Sequence, residues 1–191
     1  MITREPLIAR LEQKCLVGVT SIVSLHDTGA SEPLLWGMFY HLDQSLQIQR
    51  KPEFPCVYEL EIWSEKEFKS PPDPAKEKFM YMVGVEVDDL YDIPHGCIGK
   101  TLPSGDHAIF TYTGKPIYIL KAYMYIFKQW LPQSGYTMPF NYNYAYYKQS
   151  ESPHDENSII EICLPIVPAV PEQLVHAGQG PAIIGKKNRE A

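Results

Sequence analysis

The sequence contains few cysteines, and no two of them are close together. Cys15, Cys56, Cys97 and Cys163 are the only four in 191 residues, and none belongs to a C-x-x-C pair. This spacing disfavours both a zinc site and a disulfide framework, and it fits a reducing compartment. We therefore expect no bound metal and no cofactor.

Long apolar runs, a signal peptide and a basic surface are also missing. No run approaches the roughly 20 apolar residues of a membrane span, and Met1–Pro6 lacks the apolar core of a signal peptide. The net charge of -6 disfavours a nucleic-acid partner, since phosphate binding needs basic residues. We expect a cytoplasmic protein with neither a nucleic-acid nor a membrane partner, whose charge mildly favours cationic ligands.

Motifs for common catalytic chemistry are absent as well. The histidines show no metal-ligand spacing, no serine occupies a nucleophile-elbow motif, and no glycine-rich loop for phosphate is present. Nothing in the sequence therefore requires an enzyme.

Tyrosine is abundant instead, with 13 residues beside 3 Trp and 7 Phe. Four tyrosines cluster between Tyr142 and Tyr147. Amphipathic aromatic side chains suit the wall of a binding pocket. The alternative is that tyrosine favours strands, which explains most of them.

Apolar periodicity predicts two halves with the same order of elements: strand, helix, strand, strand. In the first half these are a strand over Cys15–Val23, a helix opened by Ser31-Glu32-Pro33 with an apolar stripe of Leu35, Met38, Leu42 and Leu46, and strands over Val57–Trp63 and Phe79–Val87. In the second half they are a strand over His107–Thr113, a helix from Lys115-Pro116 to Pro132 with a stripe of Ile117, Leu120, Met124, Phe127 and Leu131, and strands over Phe140–Lys148 and Ile159–Ile166.

A Gly- and Pro-rich connector, residues 88–105, separates the halves. We expect one domain over residues 1–166, with halves at about 15–87 and 106–166, followed by a tail over 167–191.

Glu161 is the most informative single residue. Alternation along its apolar strand places Glu161 and Cys163 on one face and Ile160 and Ile162 on the other, and both faces are predicted to be buried. A buried charge is costly unless it is paired, and a bound cation is one way to pair it. The alternative is a structural glutamate that is hydrogen-bonded internally or lies at a strand edge.

Four segments carry a family resemblance. Leu102–Phe110 followed by Gly114 resembles the segment that opens the second repeat of GyrI-like proteins, also called AraC-type effector-binding domains. Trp130–Tyr136 resembles the helix exit of that family, and Ile160–Ile166 resembles its closing strand. Tyr81–Val87 is similar to the end of the first repeat.

This resemblance implies an α+β fold in which a duplicated β-α-β-β module forms one curved antiparallel sheet with two main helices. It also implies a ligand cleft lined by strands of both halves. Regulators of the family carry a DNA-binding helix-turn-helix, and only 14 residues precede Cys15. We therefore expect a free-standing effector-binding module, similar to members on mobile gene cassettes.

The predicted ligand-binding residues combine this carboxylate with nearby aromatic rings. They are Glu161, Cys163, Trp36, Tyr40, Tyr58, Tyr81, Phe110, Tyr112, Trp130 and Tyr147. Trp36 and Trp130 are also candidates for the core. Glu59 and Glu61 alternate on one strand face, where carboxylates are usually solvated, so they are not assigned to the site. Gly84 is predicted to leave room for the ligand.

Three functions remain open. The first is a binding module for a cationic, lipophilic, aromatic small molecule, because aromatic faces and apolar walls add to the attraction of a carboxylate. The second follows from relatives that look like hydrolases of electrophilic natural products, with Glu161 as general base helped by Tyr147 or Tyr112. The third is a gyrase-inhibitor-like protein-binding module.

Overall fold

A computed structural model describes residues 1–24, 28–46, 48, 56–64, 78–149 and 156–169. The strands are β1 (Leu7–Leu11), β2 (Lys14–Ser24), β3 (Val57–Trp63), β4 (Lys78–Val87), β5 (Ile98–Leu102), β6 (Gly105–Thr113), β7 (Tyr136–Thr137), β8 (Tyr142–Gln149), β9 (Ile159–Pro165) and β10 (Val167–Pro168). Helix α1 spans Thr28–Leu46. Helix α2 follows a 3₁₀ turn at Pro116–Tyr118 and consists of Leu120–Tyr125, a π-helical turn at Ile126–Trp130, and Leu131–Gln133.

Eight strands form one antiparallel sheet in the order β1-β6-β9-β8-β3-β4-β2-β5. Counted outward from the centre, β3-β4-β2 and β8-β9-β6 present the elements of each half in the same order. The predicted α+β class, with two helices on a curved antiparallel sheet, is therefore confirmed. Most of the predicted tail, residues 170–191, lies outside the described residues.

The two edges of the sheet are tied together by one continuous ribbon. Links of two residues join β1 to β2 and β5 to β6, although β1 and β5 are the edge strands and each partner lies next to the opposite edge. The register runs unbroken across these links, with Leu11 opposite Gly105 and Lys14 opposite Leu102. Because short links cannot span a flat sheet of eight strands, the sheet curls into a half-barrel.

The two faces of this sheet differ in their packing. On the face that we call the inner face, side chains from all eight strands form one cluster, as the concave side of a curled sheet requires. On the opposite face, which we call the helix face, the core divides into two clusters. One includes Phe39 of α1 against β2 and β4, and the other includes Ile126 of α2 against β6, β8 and β9.

The predicted apolar stripe of the second helix is wrong at its first three positions, although Phe127 and Leu131 pack against the core. Ile117, Leu120 and Met124 are exposed, whereas Ala122 and Ile126 are buried. A 3₁₀ turn and a π-helical turn interrupt the 3.6-residue period on which the prediction relied, so the buried positions shift.

Met38, assigned to the stripe of α1, is also exposed. Within the described part of the chain, no helix combines the length and apolarity that a membrane crossing needs.

Candidate functional site

Glu161 lies on the inner face, between two strands of the second half. Its neighbours Ile160 and Ile162 pack into the core beneath α2, so strand alternation turns Glu161 to the other side. In the ladders it stands opposite Thr111 of β6 and Tyr146 of β8. The residue is only 5% exposed, which confirms that this strand is buried on both faces.

The carboxylate of Glu161 accepts a hydrogen bond from a neutral hydroxyl. Oγ1 of Thr111 lies 3.2 Å from Oε1 and 3.1 Å from Oε2 of Glu161. A hydroxyl has one proton, so it donates to one of these oxygens at a time. This contact offsets part of the cost of burial and adds no positive charge.

A cavity of about 270 Å³ opens beside this carboxylate. Its lining consists of Thr3, Glu5, Leu7, Ile109, Thr111, Tyr146 and Glu161. The first three residues form a wall from the N-terminal segment. That wall is held to β6 by the backbone N–H of Thr3 on the carbonyl of Thr111, at 2.9 Å, and by the β1–β6 ladder.

A second cavity, of about 390 Å³, shares one wall residue with the first. Glu5 borders both cavities, and the remaining lining comes from α2 and its exit: Tyr125, Gln129, Trp130, Gln133 and Ser134. Glu5 is exposed, so its carboxylate stands at the rim between the two spaces.

The predicted ligand-binding residues are divided between the two faces. Glu161, Cys163 and Tyr58 lie on the inner face, and of these only Glu161 lines the first cavity. Phe110, Tyr112 and Trp130 belong to the cluster beneath α2, where Trp130 also borders the second cavity. Trp36, Tyr40, Tyr81 and Tyr147 lie on the helix face of the first half and its boundary.

Most of the cavity lining was not predicted. Thr3, Glu5 and Leu7 belong to a segment with no apolar alternation, and β1 is largely exposed. Thr111 and Tyr146 are identified only by the register that sets them opposite Glu161. The alternation within β6 and β8 carried the only available signal, and it does not say which strands pair.

Glu59 and Glu61 were expected to be solvated, and this expectation is wrong. Both are half-buried on the helix face. Nε1 of Trp36 donates to Oε1 of Glu59 at 3.0 Å, and the hydroxyl of Tyr81 donates to the same oxygen. Burial raises the pKa of Glu59, and burial followed by the nearby charge of Glu59 raises the pKa of Glu61 to about 7.

The predicted space at Gly84 is filled by the neighbouring strand. A Cβ at Gly84 would lie 2.6 Å from the carbonyl oxygen of Val17, because β2 and β4 approach closely there. Beside it, Tyr58 donates to Oε2 of Glu86 at 2.7 Å, and Lys14 forms an ion pair with the same oxygen at 2.9 Å. Tyr58, Lys14 and Glu86 therefore form a hydrogen-bonded polar cluster at this end of the inner face. Gly84 leaves no room for a ligand beside it.

No group of His, Cys, Asp and Glu side chains within the described ranges is arranged to hold a metal ion. The chemistry that the first cavity offers is that of a carboxylate, a hydroxyl, one aromatic ring and aliphatic walls.

Comparison with known proteins agrees with this fold. The family model of the GyrI-like small molecule binding domain matches residues 5–167. The transcriptional regulator BrlR of Pseudomonas aeruginosa is 28% identical over 90 residues, which is 47% of this chain and 33% of BrlR. The chain thus aligns with only about a third of the length of that curated relative.

Two solved structures share the fold. SAV2435 bound to tetraphenylphosphonium has a TM-score of 0.64 and 20% identity, covering 91% of this chain and 98% of its own. An integron cassette protein of Vibrio cholerae has a TM-score of 0.58 and 15% identity, covering 85% and 96%.

Proposed function

Because the chain belongs to the GyrI-like small molecule binding domain family, we propose that the cavity beside Glu161 binds a lipophilic organic cation. The observation that carries this proposal is a carboxylate that is 5% exposed and yet borders an open cavity. A positive guest there gains a Coulomb attraction that is much stronger than in bulk water.

The walls of the cavity suit the apolar part of such a guest. Ile109 and Leu7 supply aliphatic surface, and burying apolar area contributes roughly 25 cal/mol per Å². Tyr146 adds an aromatic ring, whose face attracts a cation by about 0.5–2 kcal/mol. Glu5 places a second carboxylate at the rim, which favours the approach of a cation.

The size of the site favours a guest that extends past Glu5. The first cavity, at about 270 Å³, is smaller than the roughly 300–1,000 Å³ of typical ligand pockets. The second cavity adds about 390 Å³ on the other side of Glu5 and brings Trp130 to the site. A cation with several rings, such as the tetraphenylphosphonium bound to SAV2435, would place its charge at Glu161 and a ring towards Trp130.

Binding is favoured over the hydrolase hypothesis by the position of the tyrosines. Tyr112 and Tyr147 point to the helix face, whereas Glu161 points to the inner face. Neither tyrosine therefore stands beside Glu161 to assist a general base. Among the described residues, Tyr146 is the tyrosine that lines this cavity.

Isothermal titration with tetraphenylphosphonium tests the proposal. We expect Glu161→Gln to weaken binding at least about tenfold, which corresponds to about 1.4 kcal/mol. Glu12→Gln removes the same charge from an exposed residue in the β1–β2 link and should change affinity less than about twofold. Triphenylphosphine oxide, a neutral analogue, should bind far more weakly than the cation. Equal affinity of wild type and Glu161→Gln would refute the proposal.

A further inference from the structure

A pair of carboxylates lies on the helix face, on the side of the sheet away from Glu161. Glu59 and Glu61 belong to β3, one of the two central strands. Helix α1 packs on β2 and β4, and α2 packs towards β6, β8 and β9. The pair lies next to the boundary between these two clusters, where Ala145 of β8, opposite Glu59, contributes only a methyl group.

The donors around this pair are neutral. Glu59 accepts from Trp36, Tyr81 and Tyr147. Glu61 accepts from Nδ2 of Asn143 at 3.3 Å and from the indole N–H of Trp63. Hydrogen bonds of this kind lower the cost of one buried charge, but they do not offset the repulsion between two carboxylates. Burial raises the pKa of both side chains, and the charge of Glu59 raises the pKa of Glu61 further.

Asn143 provides an independent observation, because its side-chain oxygen is buried without a hydrogen-bond donor in the described structure. It stands opposite Glu61 in the β3–β8 ladder and is 1% exposed. Its amide nitrogen is used by Glu61, but its buried Oδ1 has no hydrogen-bond partner in the described structure. Leaving such an acceptor unsatisfied costs about 1–3 kcal/mol, so an N–H donor that reaches Oδ1 is favoured.

We propose that Glu59, Glu61 and Asn143 form a second binding site, which takes the protonated amino group of a small primary amine. An ammonium group carries a positive charge for the two carboxylates and three N–H donors, one of which suits Oδ1 of Asn143. Charge-assisted hydrogen bonds of this type are about twice as strong as neutral ones.

Aromatic rings border the same pair and fit an amine that carries an apolar group. The ring of Trp36 lies 5.6 Å from that of Tyr40 and meets the ring of Tyr147 edge-on at 5.3 Å. Trp36 is half-buried and Tyr40 is 42% exposed, so both rings are partly accessible to solvent. The indole N–H of Trp36 contacts Glu59, so these rings connect the carboxylate to the surface. They offer faces for cation–π contact and for the body of the guest.

The two sites differ in the cation that they select. The Glu161 cavity requires charge and apolar surface, which a quaternary phosphonium supplies. The Glu59–Glu61 pair with Asn143 requires N–H donors, which a quaternary cation lacks. Because the sheet separates the two sites, each proposal can fail without the other.

The experiment compares two matched probes, phenethylammonium and its N,N,N-trimethyl derivative, by isothermal titration at pH 7.5. We expect the primary amine to bind at least about tenfold more tightly than the trimethyl compound. Glu61→Gln and Asn143→Leu should each weaken the primary amine about tenfold, and Glu161→Gln should leave its affinity within about twofold. Near-UV circular dichroism confirms the fold of each variant.

A measurement on the unaltered protein complements the variants. In a ¹H–¹⁵N spectrum, the indole N–H of Trp36 should shift with phenethylammonium and stay in place with tetraphenylphosphonium. The peak is assigned with Trp36→Phe. Equal binding of the two phenethyl probes, unchanged affinity in Glu61→Gln, or an unmoved Trp36 signal at saturating amine would each overturn the second site.

Discussion

The hydroxyl of Thr111 and the carboxylate of Glu161 face each other across the β6–β9 ladder, with Oγ1 at 3.2 and 3.1 Å from the two carboxylate oxygens. This contact stabilises the carboxylate. The hydroxyl partly neutralises the same oxygens that attract a cationic guest, so it competes with the guest for their negative charge.

Thr111→Val is therefore expected to strengthen cation binding. The substitution keeps the shape of the side chain and removes the competing donor, and a hydrogen bond to a charged group is worth about 1.5–3 kcal/mol. Part of that energy is recovered as affinity, so tetraphenylphosphonium should bind about 3- to 10-fold more tightly by titration calorimetry. Thr113→Val, on the exposed end of the same strand, serves as control. Weaker binding in Thr111→Val would show that the hydroxyl orients the carboxylate for the guest.

The ion pair between Lys14 and Glu86 makes a different prediction, on stability. Glu86 is 2% exposed and also accepts from the Tyr58 hydroxyl. Lys14→Met leaves that carboxylate buried without its cation, so the free energy of unfolding in urea should fall by about 3–5 kcal/mol. The double variant Lys14→Met with Glu86→Gln should lose less than the two single changes together.

A surface ion pair provides the comparison for this series. Lys115 and Glu156 are 2.8 Å apart, but Glu156 is 75% exposed. Lys115→Met should lower the free energy of unfolding far less than Lys14→Met does, because water screens the pair. Similar losses for Lys14→Met and Lys115→Met would contradict the assignment of Lys14 as a buried partner.

The central strands were predictable because their apolar residues follow a simple period. Val57–Trp63 matches β3 residue for residue, and the strands around Val83 and Ile162 were found within one or two residues at their ends. By contrast, β1 and β5 have mostly exposed or half-buried side chains and owe their structure to the ribbon that closes the sheet. That pairing is long-range, so no local pattern reports it.

The candidate site was predictable only in part, for the same reason. Alternation identified Glu161 as a buried carboxylate from its own strand. It could not say that Thr111 and Tyr146 stand beside it, or that Trp36 lies on the opposite face. Glu59 and Glu61 were predicted to be solvated because the alternation of one strand carries no information about its neighbours. The helix and the tyrosines that cover these carboxylates come from other parts of the chain.

The close approach of β2 and β4 depends on two paired glycines. Gly18 and Gly84 stand opposite each other, and a Cβ at Gly18 would lie 2.0 Å from the carbonyl oxygen of Val83. Backbone atoms cannot move aside cheaply, so Gly18→Ala should destabilise the protein by about 3 kcal/mol or more in urea unfolding. Gly105→Ala is the matched control, since a Cβ there meets nothing within 4 Å. A Gly18→Ala protein as stable as Gly105→Ala would mean that the strands are further apart.

The stability of the protein should depend on pH through the pair on the helix face. Folding raises the pKa of Glu61 from 4.5 to about 7, so the native state holds a proton that the unfolded chain has already lost at intermediate pH. The resulting stabilisation is complete below pH 4.5 and is lost as the pH rises through about 7, by roughly 3 kcal/mol in total. The pKa of Glu59 is also raised by folding, so Glu59 adds to the decline of the unfolding free energy with pH.

Glu61→Gln removes this titration while keeping the shape of the side chain. Between pH 4.5 and 7.5, the free energy of unfolding of the wild type should decline relative to that of Glu61→Gln, whose neutral amide does not titrate. His107, buried with a lowered pKa, acts with the opposite sign, because its stabilisation is lost as the pH falls below about 6.5. Its contribution is the same in both proteins, so the difference between the two curves isolates the acid pair. A constant difference across this range would show that Glu61 titrates alike in the folded and unfolded chain, and that its carboxylate is solvated after all.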